Sequence, residues 1–309
     1  MNVRGSRTPL ALAFGDHPAR CNGVYYGADK PFFRNAVVPF LDEQVVRGGR
    51  RAIIIHEFNI FFDLNNLDPK NASHIRHVEG IMKEAEKNAN AHFRQTLDAG
   101  RPLRENAGWF DWGYLDYIAE INGRTPNMIT NIVEPQRGST LWLMNGYGSQ
   151  YTPVGDADSF ANRVAAEAES IRGSIRICLE RSRRVSALVK EIRRKYPDAA
   201  IVVPRGYAHK GMAVDFDQSE FQLTVSERLK GVPLFSSEAI AASFSGALGD
   251  AEIARYARLS IYYSEYVAAA AEKPDNETEA FELSARARGY ALDKERGTVG
   301  SPLLELRSA

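Results

Sequence analysis

The sequence predicts an α/β fold: a mainly parallel central sheet flanked by helices, with helical insertions and a helical C-terminal region. Three observations carry this expectation. Short apolar runs ending on ionisable residues occur at Pro9 to His17 (PLALAFGDH), Ala52 to Glu57 (AIIIHE) and Ile201 to His209 (IVVPRGYAH), as buried strands do when they deliver polar side chains to one sheet edge. Segments with helical spacing of apolar residues separate these runs. The first two runs and the helix between them span about 50 residues, the size of a βαβ unit, for which a parallel, right-handed crossover is the default.

In chain order, Pro9 to His17 reads as the first strand and Pro18 to Asp29, with Gly23 and Gly27, as a loop. Phe32 to Val46 reads as a helix with a stripe of Phe33, Val37, Phe40 and Leu41, and Pro39 implies a kink or a later start. After Arg47 to Arg51, AIIIHEFNIFF is the second strand. Asn65 to Asn71 is a polar turn, and Ser73 is the expected N-cap of a helix running to about Ala99. His74 and His77 in that helix have metal-pair spacing, yet their charged neighbours Glu79, Lys83, Glu84, Glu86 and Lys87 favour a solvated face, which also takes in His92. Trp109 to Glu120 is aromatic-rich, as a cap or pocket wall would be, although core packing accounts for most such rings.

Met128 to Val133 and Thr140 to Met144 are candidate strands, and Asn145 to Gly155 is a Tyr-bearing loop whose GYGS lacks phosphate-loop spacing. Asp156 or Asp158 is expected to cap a helix reaching about Tyr196, with a bend at Gly173. On it Ile171, Ile175, Cys178, Ser182, Val185, Val189 and Ile192 form one stripe. Arg181 lies at the stripe border, from which an arginine can reach toward a strand-end pocket, although spacing alone favours a solvated basic face shared with Arg183 and Arg184. After the Ile201 to His209 strand, Phe221 to Val225 and Val232 to Ser236 are read as strands, and Asp250 to Ala271 and Glu277 to Ala291 as helices. The 309 residues suffice for one α/β domain over 1–309, with a cap or insertion at about 100–155 and a loose tail from about 295.

Composition narrows the function classes. Hydrophobic residues make up 44% and charged residues 25%, as in ordinary globular proteins. Lys plus Arg equals Asp plus Glu at 39 each, so no global field draws the chain to nucleic acid or an anionic membrane. Apolar runs fall well short of the roughly 20 residues a bilayer requires. PLALAF is also shorter than the roughly 7–15 residues of a signal-peptide core. Only Cys21 and Cys178 are present, which argues against a disulfide scaffold and a cysteine zinc site, and makes a reducing cytoplasm the expected location.

If the three strands lie side by side and parallel, the ends carrying His17, Glu57 and His209 converge. Two histidines and a carboxylate are ligands for Zn²⁺, Mn²⁺ or Co²⁺, leaving an open position where bound water becomes a nucleophile. Without metal, a histidine can act as general base on water, Glu57 can orient or activate it, and an arginine can stabilise the oxyanion. Asp16 and His56 adjoin these residues, but strand alternation points neighbours to opposite faces.

The order of Gly15-Asp16-His17, a strand ending at Glu57, Glu180-Arg181-Ser182 opening toward the last strand, and Gly206-Tyr207-Ala208-His209 resembles the erythromycin-esterase/ChaN-like superfamily, which includes the TraB and TIKI proteins. The likeness spans Pro9 to Asn59 and Leu179 to Met212, and Phe14 stands where the first motif would carry glycine, displacing it to Gly15. It implies an α/β protein with His17, Glu57, Arg181 and His209 as the functional set. The superfamily includes esterases without metal, metal-dependent proteases and haem-binding proteins.

The expected function is a hydrolase that activates water at His17, Glu57 and His209, assisted by Arg181, to cleave an ester or amide of a small molecule or peptide. A divalent metal on His17, Glu57 and His209 is the expected cofactor, since no G-x-S-x-G nucleophile motif is present. Two other readings stay open: a non-catalytic haem or ligand-binding protein with His17, His209 or Tyr207 as axial ligand, and a non-hydrolytic acid/base enzyme holding a hydrophobic metabolite at Trp109 to Tyr117.

Overall fold

The computed structural model describes residues 8–15, 20–21, 24–25, 30–57, 71–103, 113–136, 159–226, 235–270 and 277–300. His17, Asp16, Trp109 to Trp112, the strand expected at Thr140 to Met144, the Tyr-bearing loop, Asp156 and Asp158 lie outside them. Within them the chain forms a five-stranded sheet of β1 (Leu10–Gly15), β4 (Ala52–His56), β5 (Ile129–Val133), β6 (Ala200–Gly206) and β7 (Gln222–Val225). The order is β5-β4-β6-β1-β7 and every pairing is parallel. β2 (Arg20–Cys21) and β3 (Val24–Tyr25) make a separate antiparallel pair.

The three strands that carry the apolar runs do lie side by side, with β6 central between β4 and β1. All seven residues of β6 are buried, as an interior parallel strand requires when both faces are covered.

Alternation splits the core in two. Ala11, Ala13, Ala52, Ile54, Ile129, Val133, Ala200 and Val202 face one side. There they pack against α1 (Lys30–Leu41), α2 (Ala72–Gln95) and α3 (Leu115–Arg124) through Phe33, Phe40, Phe93, Tyr114 and Ile118. Leu10, Leu12, Phe14, Ile55, Ile201 and Val203 face the other side, against Val185, Val189 and Ile192 of α4 (Phe160–Lys195). Burying each such aliphatic side chain stabilises the fold by about 1.5–3 kcal/mol.

α4 has 36 residues, about 54 Å at 1.5 Å per residue. Its later half covers the sheet. Its earlier half, through Ala168 and Ile171, packs against α5 (Phe235–Ser243) and α6 (Asp250–Ala270). α7 (Glu277–Glu295) then packs on α6 through Leu283, Ala287 and Tyr290. No helix among the described residues is long and apolar enough to cross a membrane.

Several local expectations are corrected. α1 starts at Lys30, runs through Pro39 and widens into a π-helical stretch at Asp42–Arg47 instead of starting late. The N-cap of α2 is Asn71, whose side chain accepts from the Ser73 amide at 2.9 Å, so Ser73 is the capped residue. Ser159 caps α4, accepting from the Asn162 amide. Phe235 and Ser236, read as the end of a strand, instead open α5, because Phe235, Ala239, Ile240 and Ser243 bury at helical spacing. The chain beyond 295 is held as far as Gly300, whose carbonyl accepts from Tyr290 at 3.1 Å and from Lys294 at 2.6 Å.

Two features position the site. Among the described residues β5 is an edge strand, and side chains supplied by α2 and the residues just after it meet outward amides of β5 and of the segment that follows it: Asp98 accepts from Asn131, Asn90 from Val133, and Glu86 from Gln136. This blunts an edge that would otherwise invite pairing. At the end of β1, a Cβ on Gly15 would lie 2.6 Å from the Phe33 ring, so glycine there permits α1 to approach the strand end.

Candidate functional site

The site is built by alternation at three strand ends. On β4, Ile55 faces α4, so Glu57 two residues later faces α4 as well. On β5, Ile132 packs on the α4 side and Glu134 follows two residues later. On β6, Ile201 and Val203 face α4, and Arg205 continues the series. Arg181 comes down from α4, one residue before Ser182 on its buried stripe. His209 enters from the 3-10 segment Tyr207–Asp215 that follows β6.

These side chains form one buried cluster. Glu57 Oε2 accepts from the Gly206 amide at 2.6 Å, and Oε1 lies 3.3 Å from His209 Nε2 and 3.5 Å from Arg181 Nη2. Glu134 lies between two guanidiniums, with Oε1 accepting from Arg181 and Oε2 2.7 Å from Arg205 Nη1. Ser182 Oγ lies 2.8 Å from His209 Nδ1. With Glu57 ionised, the assigned tautomer has Nε2–H donating to Glu57 and Nδ1 accepting from the Ser182 hydroxyl. Every one of these side chains is at most 7% exposed.

Among the described residues two carboxylates and two guanidiniums balance, and this pairing is what makes their burial tolerable. Burial pushes the Glu134 carboxyl up, but Arg181 and Arg205 outweigh it and hold it below the usual carboxylate range. Burial likewise opposes the charge on Arg181, yet Glu134 and Glu57 raise its pKa overall. His209 is pulled down to about 4, first by burial and then by Arg205, with Glu57 opposing. It is therefore neutral at neutral pH. Cys178 nearby is pushed up to about 12, chiefly by burial, which makes it a poor nucleophile.

The sequence expectation named His17, Glu57, Arg181 and His209. The structure brings Glu57, Arg181 and His209 together, and His17 lies outside the described residues. Arg181 reaches from the stripe border into a buried ion pair and does not share a solvated face with Arg183, which is exposed. The border position of Arg181 aims it at the strand ends.

Glu134 and Arg205 were missed. Both had a signal, since each stands two residues beyond an apolar residue on the α4 face. His56 obeys the alternation rule and points the other way, where Nε2 lies 2.9 Å from Asn131 Oδ1 and Nδ1 3.3 Å from Tyr114 Oη. His77 and His92 are exposed and His74 is half-exposed, in keeping with a solvated face. Tyr114, the described ring of the aromatic segment's start, is core.

Of the expected metal ligands, Glu57 and His209 are described and His17 is not. Both His209 nitrogens and both Glu57 oxygens already have protein partners, and two guanidiniums stand in the same cluster. Among the described residues no group of three or more His, Cys, Asp or Glu side chains is placed to hold a metal ion. Haem iron would need the same His209 lone pair, and the charged neighbours of Tyr207 are Glu238 and Arg288, on α5 and α7. The arrangement can support proton exchange between a neutral imidazole and a fixed carboxylate, beside cations able to stabilise negative charge. No family model, no curated protein and no solved structure matches the chain.

Proposed function

We propose that the protein is a hydrolase that activates water at the Glu57–His209 pair to cleave an ester or amide bond of a small molecule or peptide. The observation that carries this reading is the neutral imidazole of His209, 3.3 Å from a buried carboxylate that the Gly206 amide fixes at 2.6 Å. In the proposed reaction, water attacks the substrate carbonyl and its proton passes to the Glu57–His209 pair. The C–O or C–N bond then breaks, and the same proton goes to the leaving alcohol or amine. Arg181 lies against both carboxylates and, with Arg205, holds Glu134 below the usual carboxylate range. His17 is proposed as a third member, on the resemblance to the erythromycin-esterase/ChaN-like superfamily, whose other motif residues are Glu57, Arg181 and His209.

The metal-free form of the reading is preferred because the donor atoms are already engaged by protein groups. Screening the purified protein against ester and amide panels tests the proposal. Glu57→Gln and His209→Ala should each lower turnover by about 10²–10⁴-fold, with circular dichroism showing the fold retained. A folded variant of either kind that keeps its turnover removes this site from the reaction. Elemental analysis of the active wild-type protein should show no stoichiometric Zn, Mn or Co.

A further inference from the structure

We propose that Arg205 is the residue of this site that receives a substrate oxygen anion, either a carboxylate or the tetrahedral oxyanion formed at an acyl carbon. Its side chain is completely buried, yet among the described residues Nε, Nη1 and Nη2 all lack a hydrogen-bond partner. The ion pair of Nη1 with Glu134 Oε2 is close, at 2.7 Å, but not aligned as a hydrogen bond. Buried polar groups are almost always satisfied, and those of a charged group most of all. A guanidinium left this way, in the middle of a charge cluster, has the donors of a receptor whose oxygen ligand is supplied from outside the chain.

Arg181 is the less suitable of the two cations because it already serves Glu57 and Glu134. Arg205 makes one ion pair, and its planar fork suits two oxygens of one ligand. Its location agrees with that role. The next residue, Gly206, donates its amide to Glu57 Oε2 at 2.6 Å. An oxygen held by Arg205 would therefore lie in the same cluster as the proposed proton acceptor. The identity of the ligand rests on the hydrolytic reading, but the presence of an anion receptor does not.

The test uses full-length protein with ¹⁵N-labelled arginine, followed by NMR at the Arg205 Nε–H and assigned by comparison with Arg205→Lys. Sodium acetate stands for a carboxylate and sodium methylphosphonate for a tetrahedral oxyanion, each titrated against sodium chloride at matched ionic strength. The expected result is a saturable shift of that resonance by at least one of the two anions. The tighter one identifies whether a carboxylate or the tetrahedral species is held. Isothermal titration with the tighter anion should be weakened about tenfold or more in Arg205→Lys, a variant that keeps a cation beside Glu134 so that the fold is spared. No saturable shift with either anion, or titration unchanged in the lysine variant, overturns the assignment. Since binding is read without turnover, the receptor can stand even where every ester and amide fails as substrate, and the two ideas fail separately.

Discussion

His56 and Glu57 are consecutive residues, yet they serve opposite faces of the sheet, and the two faces use buried polarity differently. On the α1–α3 face, His56 is enclosed by Phe93 and Tyr114 and tied to Asn131, which donates in turn to Asp98 at 2.8 Å. On the α4 face, His209 meets Glu57 within a group of four charges. Both histidines are completely buried, and both are pulled down to about 4 with burial as the largest cause. Burial alone therefore does not distinguish a structural histidine from a chemical one. The partner does: an amide oxygen fixes His56, whereas a carboxylate gives His209 somewhere to exchange a proton.

The largest expected contrast in stability comes from breaking each network. Glu134→Ala leaves Arg181 and Arg205 buried without their shared counter-ion and should cost about 3–5 kcal/mol. Asn131→Ala leaves a neutral imidazole partly unmatched and should cost about 1–3 kcal/mol. Urea denaturation of both variants measures the difference, and equal losses would remove the distinction between a charged cluster and a neutral tie.

Acid should act on both faces at once. Each histidine has a folded-state pKa of about 4 against an ordinary 6.5, so the unfolded chain takes up the proton first. Each thus contributes about 3 kcal/mol above pH 6.5, lost as the pH falls from 6.5 to 4. Glu134, held below its usual range, adds a further loss at still lower pH. Denaturation midpoints measured across this range should flatten by a comparable share in His56→Gln and in His209→Gln. A slope unchanged in either variant shows that its imidazole is not held neutral by the fold.

The smallest contrast compares two hydroxyls in matching positions. Tyr114 Oη and Ser182 Oγ each lie beside the Nδ1 of one histidine, at 3.3 Å and 2.8 Å. Tyr114→Phe and Ser182→Ala should each cost about 1 kcal/mol. Only Ser182→Ala should also move the pH profile of the proposed hydrolysis, because only His209 belongs to the proposed reacting pair. The same shift in Tyr114→Phe would place His56 in the chemistry.

Much of this site was readable along the chain, and the residues show why some of it was not. Glu57 and His209 close apolar runs that no other element explains as well. Glu134 and Arg205 close equivalent runs, but Glu134 follows the edge strand β5 and Arg205 sits between Pro204 and Gly206, where turn residues mask the alternation. Arg181 shows the opposite difficulty. A stripe-border arginine among Arg183 and Arg184 has a basic, solvent-facing pattern, and only the carboxylates of Glu57 and Glu134 make its burial favourable. The 235–243 helix was hidden because its first residues continue an apolar run.

By itself, the sequence determined the parallel α/β layout, since hydrophobic period and strand length follow from local geometry that every residue carries with it. It also determined that His56 and Glu57 point apart, because alternation is a property of extended backbone. Only the tertiary structure decided that β6 lies between β4 and β1, and hence which strand ends meet. Strand order depends on contacts between residues nearly 150 positions apart, such as the Gly206 amide and the Glu57 carboxylate. The charge pairing of the cluster is likewise a property of four charges brought together, and no single segment of the chain contains it.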